Sequence, residues 1–209
     1  GHCIARIEEA YPDHAILSEE GAAGKEGSKD LWVIDPLDGS LNFSTRTPLF
    51  GTMIAYVHAG EVRMSAICLP VMNETYFAEK GRGALLNGMP IRCSQKTEWA
   101  DSYGCGNTHH RTSDRATFRR LADLVEHGQF RMNGIGSVAV GAVWTAGGRR
   151  DWYLTSASSV WDTAAPALIL QEAGCVVTDA QGAPWTYGAK GLLAANPSLH
   201  PALVGLMRP

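Results

Sequence analysis

Hydrophobic and polar positions follow two different rhythms along this chain. From Ala15 to Ile91 the apolar runs are short and rich in β-branched and aromatic residues, a pattern that predicts strands. They are Ala15–Leu17, the run ending at Ile34, Gly51–His58, Glu61–Leu69 and Glu74–Glu79. Ala59-Gly60 leaves the two residues that a tight hairpin needs, and Lys80-Gly81-Arg82-Gly83 turns the chain back after the third long strand. The result is an antiparallel meander, continued through Leu85-Leu86 and Pro90-Ile91. Polar, glycine-rich Gly21–Asp30 is expected to be a loop. Before all of this, Cys3–Ala10 sets Ile4 and Ile7 opposite Glu8 and Glu9, as the tail of an amphipathic helix does.

Beyond the polar stretch Gln95–Asp101 the rhythm changes, and strand-like and helix-like segments alternate. Ser102–Gly106, Phe130–Asn133, Trp152–Leu154, Cys175–Thr178 and Leu192–Ala195 read as strands. Ser113–Glu126, Ser137–Ala146, Asp162–Ala173 and Ser198–Met207 read as helices, the second stopped by Gly147-Gly148 and the third by Gly174. The expected fold class is α/β (α+β): an antiparallel-sheet half over residues 1–100 followed by an α/β half over residues 101–209.

Composition narrows the function. A chain of 209 residues with 45% hydrophobic residues buries a substantial core, and a net charge of −3 provides no broad field for nucleic acid or anionic membrane. No apolar run approaches the roughly 18 to 20 residues that span a bilayer, so a soluble protein is expected. Cys3, Cys68, Cys93, Cys105 and Cys175 are odd in number and far apart, which suggests reduced, buried thiols in a cytoplasmic setting. Gly24-Lys25 lacks the surrounding residues of a phosphate loop. His109-His110 lacks metal-ligand spacing and reads as a solvated pair, and Trp99, Trp144, Trp152 and Trp185 read as packing residues.

The candidate chemistry lies in Leu31-Trp32-Val33-Ile34-Asp35-Pro36-Leu37-Asp38-Gly39-Ser40-Leu41-Asn42-Phe43. An apolar strand end delivers Asp35 and Asp38 close together with no basic residue between them, and Pro36 and Gly39 demand a sharp turn. Two such carboxylates repel unless a proton, a cation or a metal intervenes. Ser18-Glu19-Glu20 brings further acids to another strand end. Asp162, alone, reads as a helix cap or first-turn residue; with Glu19, Asp35 and Asp38 it reads as one more oxygen ligand for a hard divalent ion. The N–H groups of Gly39 and Ser40, opening a short helix, suit an anionic oxygen. Metal, phosphate cradle and activated water together specify phosphoryl transfer to water.

These residues resemble the inositol monophosphatase family. The likeness is carried by Asp35-Pro36-Leu37-Asp38-Gly39-Ser40 with Asn42-Phe43, preceded by Ser18-Glu19-Glu20 and followed by Gly81-Arg82-Gly83-Ala84, Asn87-Gly88, Trp161-Asp162-Thr163-Ala164-Ala165 and Glu172-Ala173-Gly174. It implies a layered αβαβα sandwich and a lithium-sensitive, cytoplasmic, homodimeric hydrolase that uses two or three Mg2+ ions. It also assigns roles. Glu19, Asp35, Leu37 (through its carbonyl), Asp38 and Asp162 would bind metal, with Asp35 bridging two ions. Glu19, Asp35, Asp38 and Ser40 would be catalytic, and Asp38, Gly39, Ser40 and Asp162 would bind substrate.

Departures from the family pattern bear on substrate and catalysis, one being Gly136 where many relatives have an Arg. Relatives acting on inositol phosphate usually carry a Glu where this chain has Thr155. Nucleotide bisphosphatases carry a Lys after the Ser40 position, where Leu41 stands. Relatives have two helices and a Thr-Asp motif upstream of the Glu-Glu motif, with that Asp assisting the attacking water; nothing here corresponds, so either the native protein has residues before Gly1 or catalysis is impaired. The expected function is Mg2+-dependent hydrolysis of a small phosphate monoester, inositol-phosphate-like or histidinol-phosphate-like. The alternatives are a fructose-1,6-bisphosphatase or nucleotide bisphosphatase of the same superfamily, or a catalytically silent homologue acting through protein contacts. Partners are expected to be a phosphorylated metabolite and a second copy, without nucleic acid or membrane.

Overall fold

The computed structural model describes residues 2–107, 115–126, 130–156 and 159–207; His109-His110 and the predicted start of a helix at Ser113 lie outside them. Helix α1 (His2–Ala10) turns Ile4 and Ile7 onto Ile16, Ile34 and Ile54, the side its pattern predicts. Strand β1 (Ala15–Ser18) pairs antiparallel with β2 (Gly21–Gly24) and parallel with β3 (Asp30–Asp38). The β2 segment corrects the expected loop. Gly-Ala-Ala-Gly has little strand preference, but the edge of β1 presents N–H and C=O groups that need partners, and a two-residue turn at Glu19-Glu20 brings them within reach.

Strand β3 also runs further than expected. It does not turn at Pro36 but continues to Asp38 beside β4 (Gly51–His58), with a register irregularity between Asp35 and Asp38 that accommodates the proline's missing donor. The turn comes at Gly39, whose φ of 83° opens the short helix α2 (Ser40–Ser44). Strands β5 (Glu61–Leu69), β6 (Glu74–Glu79), β7 (Ala84–Leu86) and β8 (Met89–Ile91) complete the meander. Positive φ at Ala59 and Gly60 (50° and 80°) and at Asn87 and Gly88 (48° and 80°) gives both two-residue hairpins the left-handed geometry they require. The sheet order is β2-β1-β3-β4-β5-β6-β7-β8, antiparallel except for the β1/β3 pair.

The remaining elements are β9 (Tyr103–Asn107), α3 (Arg115–Glu126), β10 (Arg131–Asn133), α4 (Val138–Ala146), β11 (Trp152–Thr155), α5 (Val160–Glu172), β12 (Val176–Thr178), β13 (Leu192–Ala195) and α6 (His200–Met207). Their strands form a mixed sheet of order β10-β9-β11-β13-β12. Helices α4 and α5 fill the space between the two sheets, sharing a core with Met53, Ile67, Tyr76, Tyr153 and Leu192. Leu121 of α3 and Leu203 of α6 cover the far face of the second sheet over Trp152, Leu154 and Leu193. With α1 outside the first sheet, the layers run αβαβα. Close approach is built in at Gly141, where a Cβ would stand 2.5 Å from the Tyr153 ring.

One expectation about side chains needs adjustment. Cys93, Cys105 and Cys175 are buried as expected, but Cys3 and Cys68 point outward from α1 and β5. The tryptophans behave as packing residues: Trp99 stacks on the fully buried Trp152 at 5.5 Å. Among the described residues, no helix is long and apolar enough to cross a membrane.

Candidate active site

The parallel register of β1 and β3 pairs Ser18 with Ile34, so the residues that follow, Glu19 and Asp35, leave neighbouring strands at the same level. Glu19 sits in the exposed β1–β2 turn, whereas Asp35 is 2% exposed. Asp38 closes β3 and is likewise buried. Asp162 arrives from the opposite side, in the first turn of α5 and not at its cap, which is Ser159. Pro166, four residues on, has no N–H to give the Asp162 carbonyl. One carboxylate oxygen from each of Asp35, Asp38 and Asp162 lies within 4.8 Å of the other two. Glu19 is outside that tight group, yet its charge acts on all three.

Burial dominates the electrostatics. Desolvation first, and then the Asp38 charge, pushes the Asp35 carboxyl up to about 8, against the opposing pull of the Leu37 N–H it accepts at 2.9 Å. Desolvation followed by the charges of Asp38 and Glu19 raises Asp162 to about 7. Asp38 is also raised by burial, although the N-terminus of α4 supplies three donors to it. Val138 N–H reaches Oδ1 at 3.0 Å, Ala139 N–H reaches Oδ2 at 2.9 Å, and the Ser137 hydroxyl also donates to Oδ2. Oδ2 is thereby saturated, and one lone pair of Oδ1 remains.

Among the described residues, no cationic side chain offsets these shifts. Two buried carboxylates and a half-buried third that share so small a space must hold protons or a cation. An all-oxygen donor set of this kind fits Mg2+, a hard ion that accepts carboxylates and retains waters.

Next to the acids, α2 begins without a side-chain cap at Gly39, while the Gly39 carbonyl is already taken by Phe43 N–H at 2.9 Å. Only glycine fits there: a Cβ would come within 2.9 Å of the Leu49 carbonyl and 3.1 Å of the Ser137 side chain. Ser40 is exposed at the first position of α2, and Leu37 is half-buried between the two aspartates. Thr155 ends β11 buried at 2%, in a polar group with Tyr153 and Asn107.

Two contributors were missed in the sequence. Ser137 was legible as a helix start, but its target, Asp38, is 99 positions away and carried no local signal. Glu172 appeared only as part of a motif. Its two carboxylate oxygens accept Gly81 N–H at 2.8 Å and Gly83 N–H at 2.7 Å, so the Glu-Ala-Gly and Gly-Arg-Gly motifs hold each other.

Comparison with known proteins gives a consistent result. Residues 1–208 match the model of the inositol monophosphatase family. A Thermotoga maritima fructose-1,6-bisphosphatase/inositol-1-monophosphatase is 34% identical over 202 residues, covering 96% of this chain and 76% of that protein. A Pseudomonas aeruginosa protein named Nus factor SuhB is 32% identical over 212 residues, covering 99% and 78%. Among solved structures, the extragenic suppressor protein SuhB of Bartonella henselae superposes with a TM-score of 0.90 at 27% identity, covering 98% of this chain and 80% of that one.

Proposed function

Because the chain belongs to the inositol monophosphatase family, we propose that it is a Mg2+-dependent phosphatase that hydrolyses a small phosphate monoester. The observation that carries this reading is the convergence of Asp35, Asp38 and Asp162 within 4.8 Å. Glu19, Asp35 and the Leu37 carbonyl would hold one ion, and Asp35 would bridge to a second held with Asp38 and Asp162. When bound, Mg2+ supplies the positive charge that neutralises phosphoryl oxygens and makes water a competent nucleophile near neutral pH.

The chain's own groups supply the rest. Asp35 and Asp162, pushed up to about 8 and about 7 by burial and by neighbouring acids, would give up their protons as positive charge enters. The uncapped N–H groups of Gly39 and Ser40 hold a phosphate oxygen. The Ser40 hydroxyl, at the edge of the same cradle, orients the attacking water. Asp38, locked by three donors from α4, fixes the distance between cradle and cations.

Neutral Thr155 in place of the usual glutamate argues for a substrate other than inositol phosphate, and Leu41 argues against a nucleotide bisphosphate. A small amino-alcohol phosphate, histidinol-phosphate-like, or a small polyol phosphate fits best. The test is phosphate release from inositol-1-phosphate, histidinol phosphate, fructose 1,6-bisphosphate and adenosine bisphosphate, with and without Mg2+ and Li+. Release from none of them in the presence of Mg2+ overturns the proposal. A second reading, a silent homologue acting through protein contacts, is favoured by the Nus factor name of the Pseudomonas relative. It predicts a binding partner whose capture is unchanged in Asp35→Asn.

A further inference from the structure

The segment Ile135-Gly136-Ser137 connects β10 to the helix end that seats Asp38, and two asparagines grip it from opposite sides. From α2, the Asn42 amide nitrogen donates to the carbonyl oxygens of Leu49 and Ile135, each at 2.7 Å. Since both partners are acceptors, the amide orientation is fixed and both of its N–H groups are consumed. From β9, the Oδ1 of Asn107 accepts Gly136 N–H at 3.2 Å, while its Nδ2 faces the Tyr153 hydroxyl at 3.4 Å. Gly136 has a φ of 72°, and a Cβ there would stand 3.2 Å from the Asn42 amide. The glycine therefore lets Asn42 close on the segment as well as turning it.

Each grip ends on the same carboxylate. The residue after Gly136 is Ser137, which donates to Asp38 and caps α4, and Val138 and Ala139 N–H complete the Asp38 seat. Asn42 belongs to the helix whose first amides form the phosphate cradle, so it joins cradle and seat directly. We propose that Asn42 and Asn107 are positioning residues, which clamp the Ile135–Ser137 segment so that Asp38 is presented to the bound cations in register with the Gly39-Ser40 cradle. This rests on the reading of Asp35, Asp38 and Asp162 as metal ligands.

The test is a calorimetric titration of the full chain with Mg2+ alone, beside thermal melts in EDTA. Asn42→Ala and Asn107→Ala are each expected to weaken Mg2+ binding about 10- to 100-fold, the range for groups that orient metal ligands. The double variant is expected to lose less than the product of the two, since both act through one segment. Asn42→Asp keeps the shape but loses the donors, and it is expected to match Asn42→Ala; it also serves if the alanine variant does not fold. Ser44→Ala, which removes only a local bond to the Leu41 carbonyl, is expected to bind as the parent does. Folded single variants with parental Mg2+ affinity, or a double variant whose loss equals the product, overturn the positioning role alone. A parent chain that binds no Mg2+ overturns the metal reading and this inference with it.

Discussion

Ser18 and Ile34 are partners across the parallel β1/β3 pair, and that pairing alone sets Glu19 level with Asp35. The two acids nevertheless differ in surroundings, one in an exposed turn and the other buried. Glu19→Gln is therefore expected to weaken Mg2+ binding at least about tenfold. Stability in EDTA should change by no more than about 0.5 kcal/mol, as for an ordinary surface substitution. Calorimetry and chemical denaturation check the two halves separately.

Asp35→Asn should separate function from stability. It removes a buried acid whose neighbours are acids, so the metal-free variant is expected to melt higher than the parent at pH 8. Phosphate release and the Mg2+-induced rise in melting temperature should both disappear. A variant that still gains stability from Mg2+ would place the ion elsewhere.

The same burial predicts a pH dependence. Asp35 and Asp162 rise from an ordinary 3.8 to about 8 and about 7, so between about pH 4 and pH 8 the folded chain holds more protons than the unfolded chain. Stability without metal must then fall as pH rises through that window, being unpenalised below it and fully penalised above it. Excess Mg2+ should flatten the slope, because the cation replaces the protons. Melting curves in EDTA and in Mg2+ across this range test the sign, and proton uptake or release during Mg2+ titration at pH 7 tests the exchange: release is expected.

Glu172→Ala should destabilise the fold by about 1–3 kcal/mol, the usual loss when charged hydrogen bonds to backbone donors are removed. Equilibrium urea denaturation measures it. Glu172→Gln retains the shape and an acceptor, and it should lie between the parent and the alanine variant.

Where local chemistry decides the structure, the sequence was sufficient. Ala59-Gly60 placed a hairpin, Gly147-Gly148 ended α4, and the apolar runs located most strands of both sheets. It fell short where a partner decides. Gly21–Gly24 becomes a strand only because β1 offers an edge, and Pro36 stays within β3 because β4 tolerates an irregular register beside it. The site divides in the same way. Asp35 and Asp38 stood out as acids without counter-charge, Asp162 joined them only in company with Glu19, and the structure brings the three aspartates together with Glu19 outside the tight group. The groups that hold them, Ser137 on Asp38 and Asn42 on Ile135, are bonds across 99 and 93 positions that no local pattern announces.

Helix α5 carries Asp162 in its first turn and Glu172 at its last residue, and through Glu172 it is pinned to the turn between β6 and β7. A surface turn with Gly81 and Arg82 exposed would ordinarily tolerate added residues. Here lengthening it would shift the anchor of a rigid rod of 13 residues, about 20 Å long, whose other end sets a carboxylate of the site. The spacing of Gly81 and Gly83 is thus a length standard for the distant end of the helix, and loop grafting in this protein has to leave it unaltered.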